Sequence, residues 1–252
     1  MLSIVIITRN ESANIADCLK SVSWADEIVV VDSGSTDNTV EICREYGCKV
    51  LEADWPGFGP QKNRALAMAT QPWVLSIDAD ERVTPELKAE LLEMMNNDEG
   101  FAGFEIPRLS SFCGRFIEHS GWRPDYVLRL FKRDKAIFSD DLVHEKVLIE
   151  GRSKKLKSSL IHYTYTSLDQ VIDKMNQYSQ LSAQSKFEKG ERSTVRKAVL
   201  KGIFAFVRTY ILRAGFLDGS HGLMLAISNA QGTYYKYAKL ALLSKPTRGD
   251  HP

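Results

Sequence analysis

The chain has 252 residues, 44% of them hydrophobic, with 33 Lys and Arg against 32 Asp and Glu. That length allows one large globular domain, or one domain with an appendage. A net charge of +1 excludes a global attraction to nucleic acid, so any basic surface is local. Cys18, Cys43, Cys48 and Cys113 form no C-x-x-C pair, and no His is placed to complete a zinc site. Reduced, buried thiols of a cytosolic protein are expected.

Residues 2–7 form an apolar run too short for a signal sequence or a membrane span, and are expected to be the first core strand. A helix is expected over 10–22, a strand over 27–31 ending at Asp32, and a second helix closed by Gly47. Residues 48–51 are a third strand candidate. The loop Trp55-Pro-Gly-Phe-Gly-Pro60 feeds a helix expected over 61–69. Next comes Trp73-Val-Leu-Ser-Ile-Asp-Ala-Asp-Glu81, an apolar run that ends in acids. Thr84-Pro85 reads as an N-cap with Pro at the first helical position. Strands separated by helices of this length predict βαβ units and a parallel sheet. Short strands are expected over 104–107, 126–131, 143–149 and 158–162. Three helices then follow from a Ser167-x-x-Gln170 capping box: one to about 189, one over 194–214 and one over 221–243.

Three features point to chemistry. Ligands of open α/β sheets bind outside the carboxyl ends of the strands. Asp78 and Asp80 after one apolar strand can hold a hard divalent cation shared with substrate phosphates; the bland alternative is a pair of solvated acids, with Glu81 and Glu86 favouring the helix dipole. Asp32, after another strand, is either a nucleoside contact or a turn acid. Lys62 and Arg64 either neutralise a diphosphate or lie on a solvated helix face. No G-x-G-x-x-G follows the first strand, which argues against a nicotinamide oxidoreductase.

The segments Thr8-Arg-Asn-Glu11, Val31-Asp-Ser-Gly-Ser-Thr-Asp-Asn-Thr39, Lys62-Asn-Arg64 and Ile77-Asp-Ala-Asp-Glu81, in this order, resemble the family 2 glycosyltransferases. Gly121-Trp-Arg-Pro-Asp-Tyr-Val-Leu-Arg-Leu-Phe131, Val143-His-Glu-Lys-Val147 and Ser228-Asn-Ala-Gln-Gly-Thr-Tyr-Tyr235 extend the resemblance to bacterial lipopolysaccharide inner-core β-glucosyltransferases. The resemblance implies a GT-A fold: an α/β, Rossmann-like, mainly parallel sheet flanked by helices. The glycosyltransferase domain would span 1–166, with a donor half at 1–100 and an acceptor half at 101–166; 167–252 would be a helical appendage. It implies an inverting transferase using a UDP-sugar such as UDP-glucose and Mg²⁺ or Mn²⁺. Thr8, Asn10, Glu11, Asp32, Lys62, Arg64, Asp78, Ala79 and Asp80 would meet the donor. Asp80 would hold the metal, with His144 either in its shell or a structural histidine.

An in-line displacement needs a base for the acceptor hydroxyl. The resemblance favours Glu145, with Asp141 as the alternative. Trp122, Arg123 and Arg129 are candidate acceptor or phosphate contacts; the two arginines could instead pair with Asp134, Asp140 or Asp141, and Trp122 could be a core residue. No Q-x-x-R-W motif is present, which favours single-sugar addition over processive synthesis. Residues 194–214 interleave apolar and aromatic residues with Lys and Arg, a pattern suited to the headgroup plane of an anionic membrane or to packing with snorkelling cations. The expected setting is the cytoplasmic face of the inner membrane, with a lipid A-core heptose as acceptor and no nucleic acid. A sugar-1-phosphate nucleotidyltransferase and a non-catalytic nucleotide-sugar binding protein are the rivals.

Overall fold

The computed structural model describes residues 1–139 and 146–244. The chain forms two compact units. The first is Met1–Leu109 with Pro124–Tyr163, and the second is Ser110–Arg123 with the chain from Thr164 onward.

The first unit opens with βαβ repeats: β1 (Leu2–Thr8), α1 (Ile15–Val22), β2 (Glu27–Asp32), α2 (Thr39–Glu45), β3 (Lys49–Glu52), α3 (Phe58–Met68) and β4 (Trp73–Ser76). β1 pairs parallel with β2 and with β4, and β2 with β3. Side chains alternate across a strand, and the alternation sorts the core. Leu2, Ile4 and Ile6 of β1 join Val30, Leu75 and Ile77 on one face, under α1 and α4 (Pro85–Asn96). Val5, Val29, Val31 and Val74 meet Ala65 and Leu66 of α3 on the other. Both faces are covered, as a parallel sheet requires.

After β4 come β5 (Glu81–Val83), α4, β6 (Gly103–Phe112), β7 (Arg115–Phe116), β8 (Tyr126–Lys132), β9 (Ala136–Phe138), β10 (Val147–Ile149), β11 (Ser153–Lys155) and β12 (Leu160–Tyr165). The sheet order is β3-β2-β1-β4-β8-β6-β12-β5. The strand order reverses between β1 and β4, the switch point where α/β sheets bind ligands. β8 runs antiparallel beside β4, with Leu75 opposite Leu130, so Arg129 comes level with Ser76, the carboxyl end of β4.

Some local expectations are corrected. The first helix begins at Ile15 rather than at 10, because Asn10 has φ 55° and the backbone N–H groups of Asn10, Glu11 and Ser12 are taken by side chains of the loop after β2. The third helix begins at Phe58 rather than 61. Gly57, at φ 119°, turns the chain, and Pro60 is tolerated because first-turn N–H groups have no helical partner. β5, for which no element is expected from sequence, is a strand that pairs antiparallel with β12. The Thr84 cap forms, its Oγ1 accepting from Leu87 N–H at 3.1 Å.

The second unit holds α5 (Leu168–Glu188), α6 (Val195–Val207) and α7 (Gly219–Leu243), with α6 running on through a π-helical turn to Leu212. Ser167 caps α5, accepting from Gln170 N–H at 3.3 Å. The Gln170 side chain returns to the N–H of Thr166 rather than of Ser167, a box displaced by one residue. Phe112, Ile117, Val171 and Leu225 form a small core. Buried Asp218 ties 110–123 to these helices, accepting from Ser120 Oγ at 2.7 Å and from the Glu118 and His119 N–H groups. Among the described residues, no helix is long and apolar enough to cross a membrane. The four cysteines are free thiols, and burial pushes the Cys43 thiol up to about 12, an unreactive environment.

Candidate active site

The loops after β1 and β2 are fastened to each other. Register places Thr8 beside Asp32, and Ser33 N–H donates to the Thr8 carbonyl at 2.9 Å. Asn10 N–H donates to Ser35 Oγ, and Asn10 Oδ1 accepts from Thr36 N–H, both at 2.8 Å. Glu11 N–H donates to Thr39 Oγ1 at 2.8 Å. Asp32 is buried and organises its own turn, accepting from the Gly34 and Ser35 N–H groups and from Ser35 Oγ. Asp37 does the same for the helix start; bonds from Thr39 and Ser12 hold its carboxyl at about 2. Thr8 differs: its Oγ1 is buried and has no hydrogen-bond partner among the described residues.

The acids after β4 separate by role. The Asp78 carboxylate accepts from Arg129 at 2.7 Å and lies 3.2 Å from Lys62 Nζ. Burial pushes this carboxyl up, but the Arg129 and Lys62 charges outweigh it and hold Asp78 well below the usual carboxylate range. Glu81 is fully buried, 2.6 Å from Arg129 and 3.8 Å from Arg108, and accepts from Asp78 N–H at 2.9 Å. Burial pushes its carboxyl up, against the pull of Arg129. Asp80 is likewise partly open, 28% exposed against 35% for Asp78, but its neighbour is His162, with Nε2 at 3.4 Å. The Asp80 carbonyl is fixed by Tyr163 N–H at 2.9 Å.

Lys62 and Arg64 diverge because helical residues two apart do not share a face. Lys62 turns inward to Asp78, and Arg64 turns out to Asp54 at 2.8 Å. Lys62, Arg129, Tyr126 and Lys146 line a cavity of about 310 Å³ in this unit. Arg129, expected at phosphate or at Asp134, Asp140 or Asp141, is directed instead at Asp78 and Glu81. Arg123 pairs with Glu118 at 3.3 Å. Trp122 packs edge-on to Phe112, with ring centroids 6.1 Å apart, within the second unit. Asp141, His144 and Glu145 lie outside the described residues. Among the described residues, no three His, Cys, Asp or Glu side chains converge as a ready metal site.

Sequence reading missed three participants. Glu81, placed beside the two aspartates in the motif but given no role of its own in the site, is the buried anchor of the Arg129 cluster. His162 reaches Asp80 only through the pairing of β12 with β5, in which His162 faces Glu81, and no local signal marks it. Arg108 bridges Glu81 and Asp125, 2.7 Å from the latter.

The signature of the family "Glycosyl transferase family 2" matches residues 3–147. The lipopolysaccharide core biosynthesis glycosyltransferase LpsC of Rhizobium meliloti is 31% identical over 94% of this chain and 93% of its own length. An uncharacterized glycosyltransferase of Rickettsia typhi is 30% identical over 98% of this chain and 89% of its own. In fold, the chain is similar to S. aureus TarS solved in complex with UDP, with a TM-score of 0.50 at 17% identity, over 100% of this chain and 94% of that one. A family match over more than half the residues, reinforced by near full-length relatives, means that this chain belongs to glycosyl transferase family 2 and carries its GT-A fold.

Proposed function

We propose that the chain moves a hexose, glucose from UDP-glucose, with inversion onto a heptose of the lipopolysaccharide inner core. The observation that carries this reading is the division of labour after β4. Both carboxylates are partly open at the switch point, but Asp78 is neutralised by the buried cations Lys62 and Arg129, while Asp80, two residues on, faces His162. A single carboxylate with substrate phosphates suits Mg²⁺ or Mn²⁺, hard ions that take oxygen ligands. Such an ion, when bound, would offset the charge developing on the departing diphosphate.

Asp80 is its protein ligand in this reading, with His144 in support. Thr8, Asn10, Glu11 and Asp32 surround the nucleoside, and the unpartnered Thr8 hydroxyl is free to bond to it. Lys62 faces the diphosphate, and Arg129 holds Asp78 in place. Arg64, turned towards Asp54, has a lesser share in donor binding. Glu145 is the base that takes the acceptor hydroxyl proton, with Asp141 next in line, and Trp122 and Arg123 serve the acceptor. The lipopolysaccharide assignment draws on the name of the LpsC relative.

The test is UDP release from UDP-glucose on a core-oligosaccharide acceptor, with and without Mg²⁺ or Mn²⁺. Asp80→Ala is expected to lower turnover by about 10³-fold, the several kcal/mol of a metal contribution. Full metal-dependent activity in that variant would end the metal assignment. Normal turnover in Glu145→Gln would pass the base to Asp141.

Residues 194–214 contact an anionic membrane at the cytoplasmic face in this reading. A specific observation favours it. α6 packs through its small residues, with Ala198 and Gly202 buried, and leaves Leu200, Ile203 and Phe204 each more than half exposed. A water-facing helix normally does the reverse. Arg196, Lys197, Lys201 and Arg208 are exposed among these residues, the mixture that headgroups attract. Co-sedimentation with vesicles containing phosphatidylglycerol should exceed that with neutral vesicles and should fall in Leu200→Ser/Phe204→Ser. Equal sedimentation of variant and parent would refute this contact.

A further inference from the structure

Helices α5 and α7 pack together in the second unit. Packed helices in water usually meet along apolar stripes, but part of this seam is polar. On α7, Ser228, Asn229, Gly232 and Thr233 recur at helical spacing, and on α5 Ser179 and Ser182 do the same. The α7 residues belong to the Ser228–Tyr235 segment that helped carry the family resemblance and that the donor site does not use.

A stripe of small polar residues can simply let two helices approach closely. Here it does not, because a cavity of about 230 Å³ lies between them, walled by Trp122 and Tyr165. A Cβ added at Gly232 would come within 3.2 Å of Met175 Cγ, so any larger residue would narrow the space.

The polar groups in the wall divide into two sets. Ser228 Oγ bonds back to the Met224 carbonyl at 2.9 Å, and Ser179 Oγ to the Asn176 carbonyl at 2.9 Å. The Ser182 and Thr233 hydroxyls, the Trp122 indole N–H and the Tyr165 hydroxyl make no hydrogen bond to any described residue. A cavity with an apolar aromatic wall and a few convergent polar groups is the usual form of a small-molecule site. The charge is one-sided: Lys236 lines the cavity and no acid does. The volume falls below the roughly 300–1,000 Å³ of drug-sized pockets, which suits one ring rather than an extended chain.

We propose that this cavity is a saccharide subsite for a single pyranose bearing an anionic substituent, a phosphate or a carboxylate. The sugar's apolar C–H face lies against Trp122 and Tyr165, its hydroxyls meet Ser182, Thr233 and Asn229, and its anionic group meets Lys236. That the sugar is part of the acceptor glycoconjugate rests on the proposed glycosyltransferase function. The subsite itself does not.

The experiment is a titration of the full chain, labelled with carbon-13 at its methionine methyls, with the Met175 signal assigned through Met175→Leu. Glucose 6-phosphate should shift that signal saturably. Glucose and inorganic phosphate should each bind at least about tenfold more weakly, since each lacks one half of the contacts. Lys236→Met should bring glucose 6-phosphate down to the level of glucose. Ser182→Leu, which fills the cavity, should remove the shift; if that variant does not fold, Thr233→Val, which keeps the volume and deletes one hydroxyl, should weaken glucose 6-phosphate binding.

A Met175 signal unmoved by glucose 6-phosphate, or moved equally by inorganic phosphate, would overturn the subsite. None of these readings requires sugar transfer, so the subsite and the proposed activity fail separately. A rise in KM for a phosphorylated core acceptor in Lys236→Met, with the donor KM unchanged, would assign the sugar to the acceptor. An unchanged acceptor KM would remove that assignment.

Discussion

The two ends of the parallel strands each bury a glutamate, in different company. At the amino end of β2, Glu27 accepts from Ser3 Oγ, from Thr70 N–H at 2.8 Å and from Lys49, a lysine with 55% of its side chain exposed. At the carboxyl end of β4, Glu81 has no exposure and shares Arg129, itself 5% exposed, with Asp78. The first acid is satisfied largely by hydroxyl and backbone donors, and its one counterion sits in water. The second belongs to a cluster with a buried centre, Glu81, Arg129 and Lys62, and the partly exposed Asp78 and Arg108 at its edge. The amino end is closed electrostatically, whereas the carboxyl end concentrates charge around Asp80. The same fold uses one pairing to hold strands together and the other to build a site.

The contrast is broken most directly at Arg129. Arg129→Met leaves the buried Glu81 and the partly exposed Asp78 without their shared cation, which should cost about 3–5 kcal/mol, most of it at Glu81. Urea unfolding followed by circular dichroism measures it. A loss under about 1 kcal/mol, the level of a surface pair, would mean that Asp78 and Glu81 are neutralised by Lys62 and Arg108 alone.

The sequence discloses the carboxyl end unevenly, and the reason is range. The strands β1, β2 and β4, and the placing of Asp32 and Asp78 at strand ends, follow from local apolar runs. So does the Thr84 cap. Lys62 and Arg64 are equally basic in sequence, and only the helix phase sends one inward and the other to Asp54. Arg129 comes to Asp78 through the antiparallel register of β8 on β4, and His162 to Asp80 through that of β12 on β5. Both are pairings between segments more than fifty residues apart, with no local signature. The same limit hid β5, a three-residue strand that exists only because β12 is there to pair with it. The helix start at Ile15 moved because loop residues 10–12 donate to Ser35, Thr39 and Asp37, partners in the next βα connection. Trp122 sits in a sequence context open to either a sugar platform or a core role, and the structure gives it features of both. It packs on Phe112 and also walls a polar cavity.

The amino end gives a smaller effect with a distinctive pH signature. Glu27→Gln keeps the shape and removes the charge, so the variant should lose roughly 1–3 kcal/mol at neutral pH, the range for hydrogen bonds to a charged group. Burial alone would raise the Glu27 carboxyl, but the bonds from Lys49, Ser3 and Thr70 outweigh it and hold the group at about 2 against an ordinary value of 4.5. A carboxylate whose folded-state pKa is depressed favours the folded chain above its unfolded-state pKa, and this contribution fades as pH falls towards the folded value. The stability gap between parent and variant should therefore be constant from pH 7 to about 5 and should close between about 5 and 2. Taking the difference between the two chains isolates Glu27 from Asp78, which is also held low but titrates in both. If acid and urea titrations show a gap that stays constant down to pH 2, hydrogen-bond geometry rather than the charge of Glu27 fastens the amino end. The comparison with the Arg129 cluster would then be one of neutral against ionic anchoring.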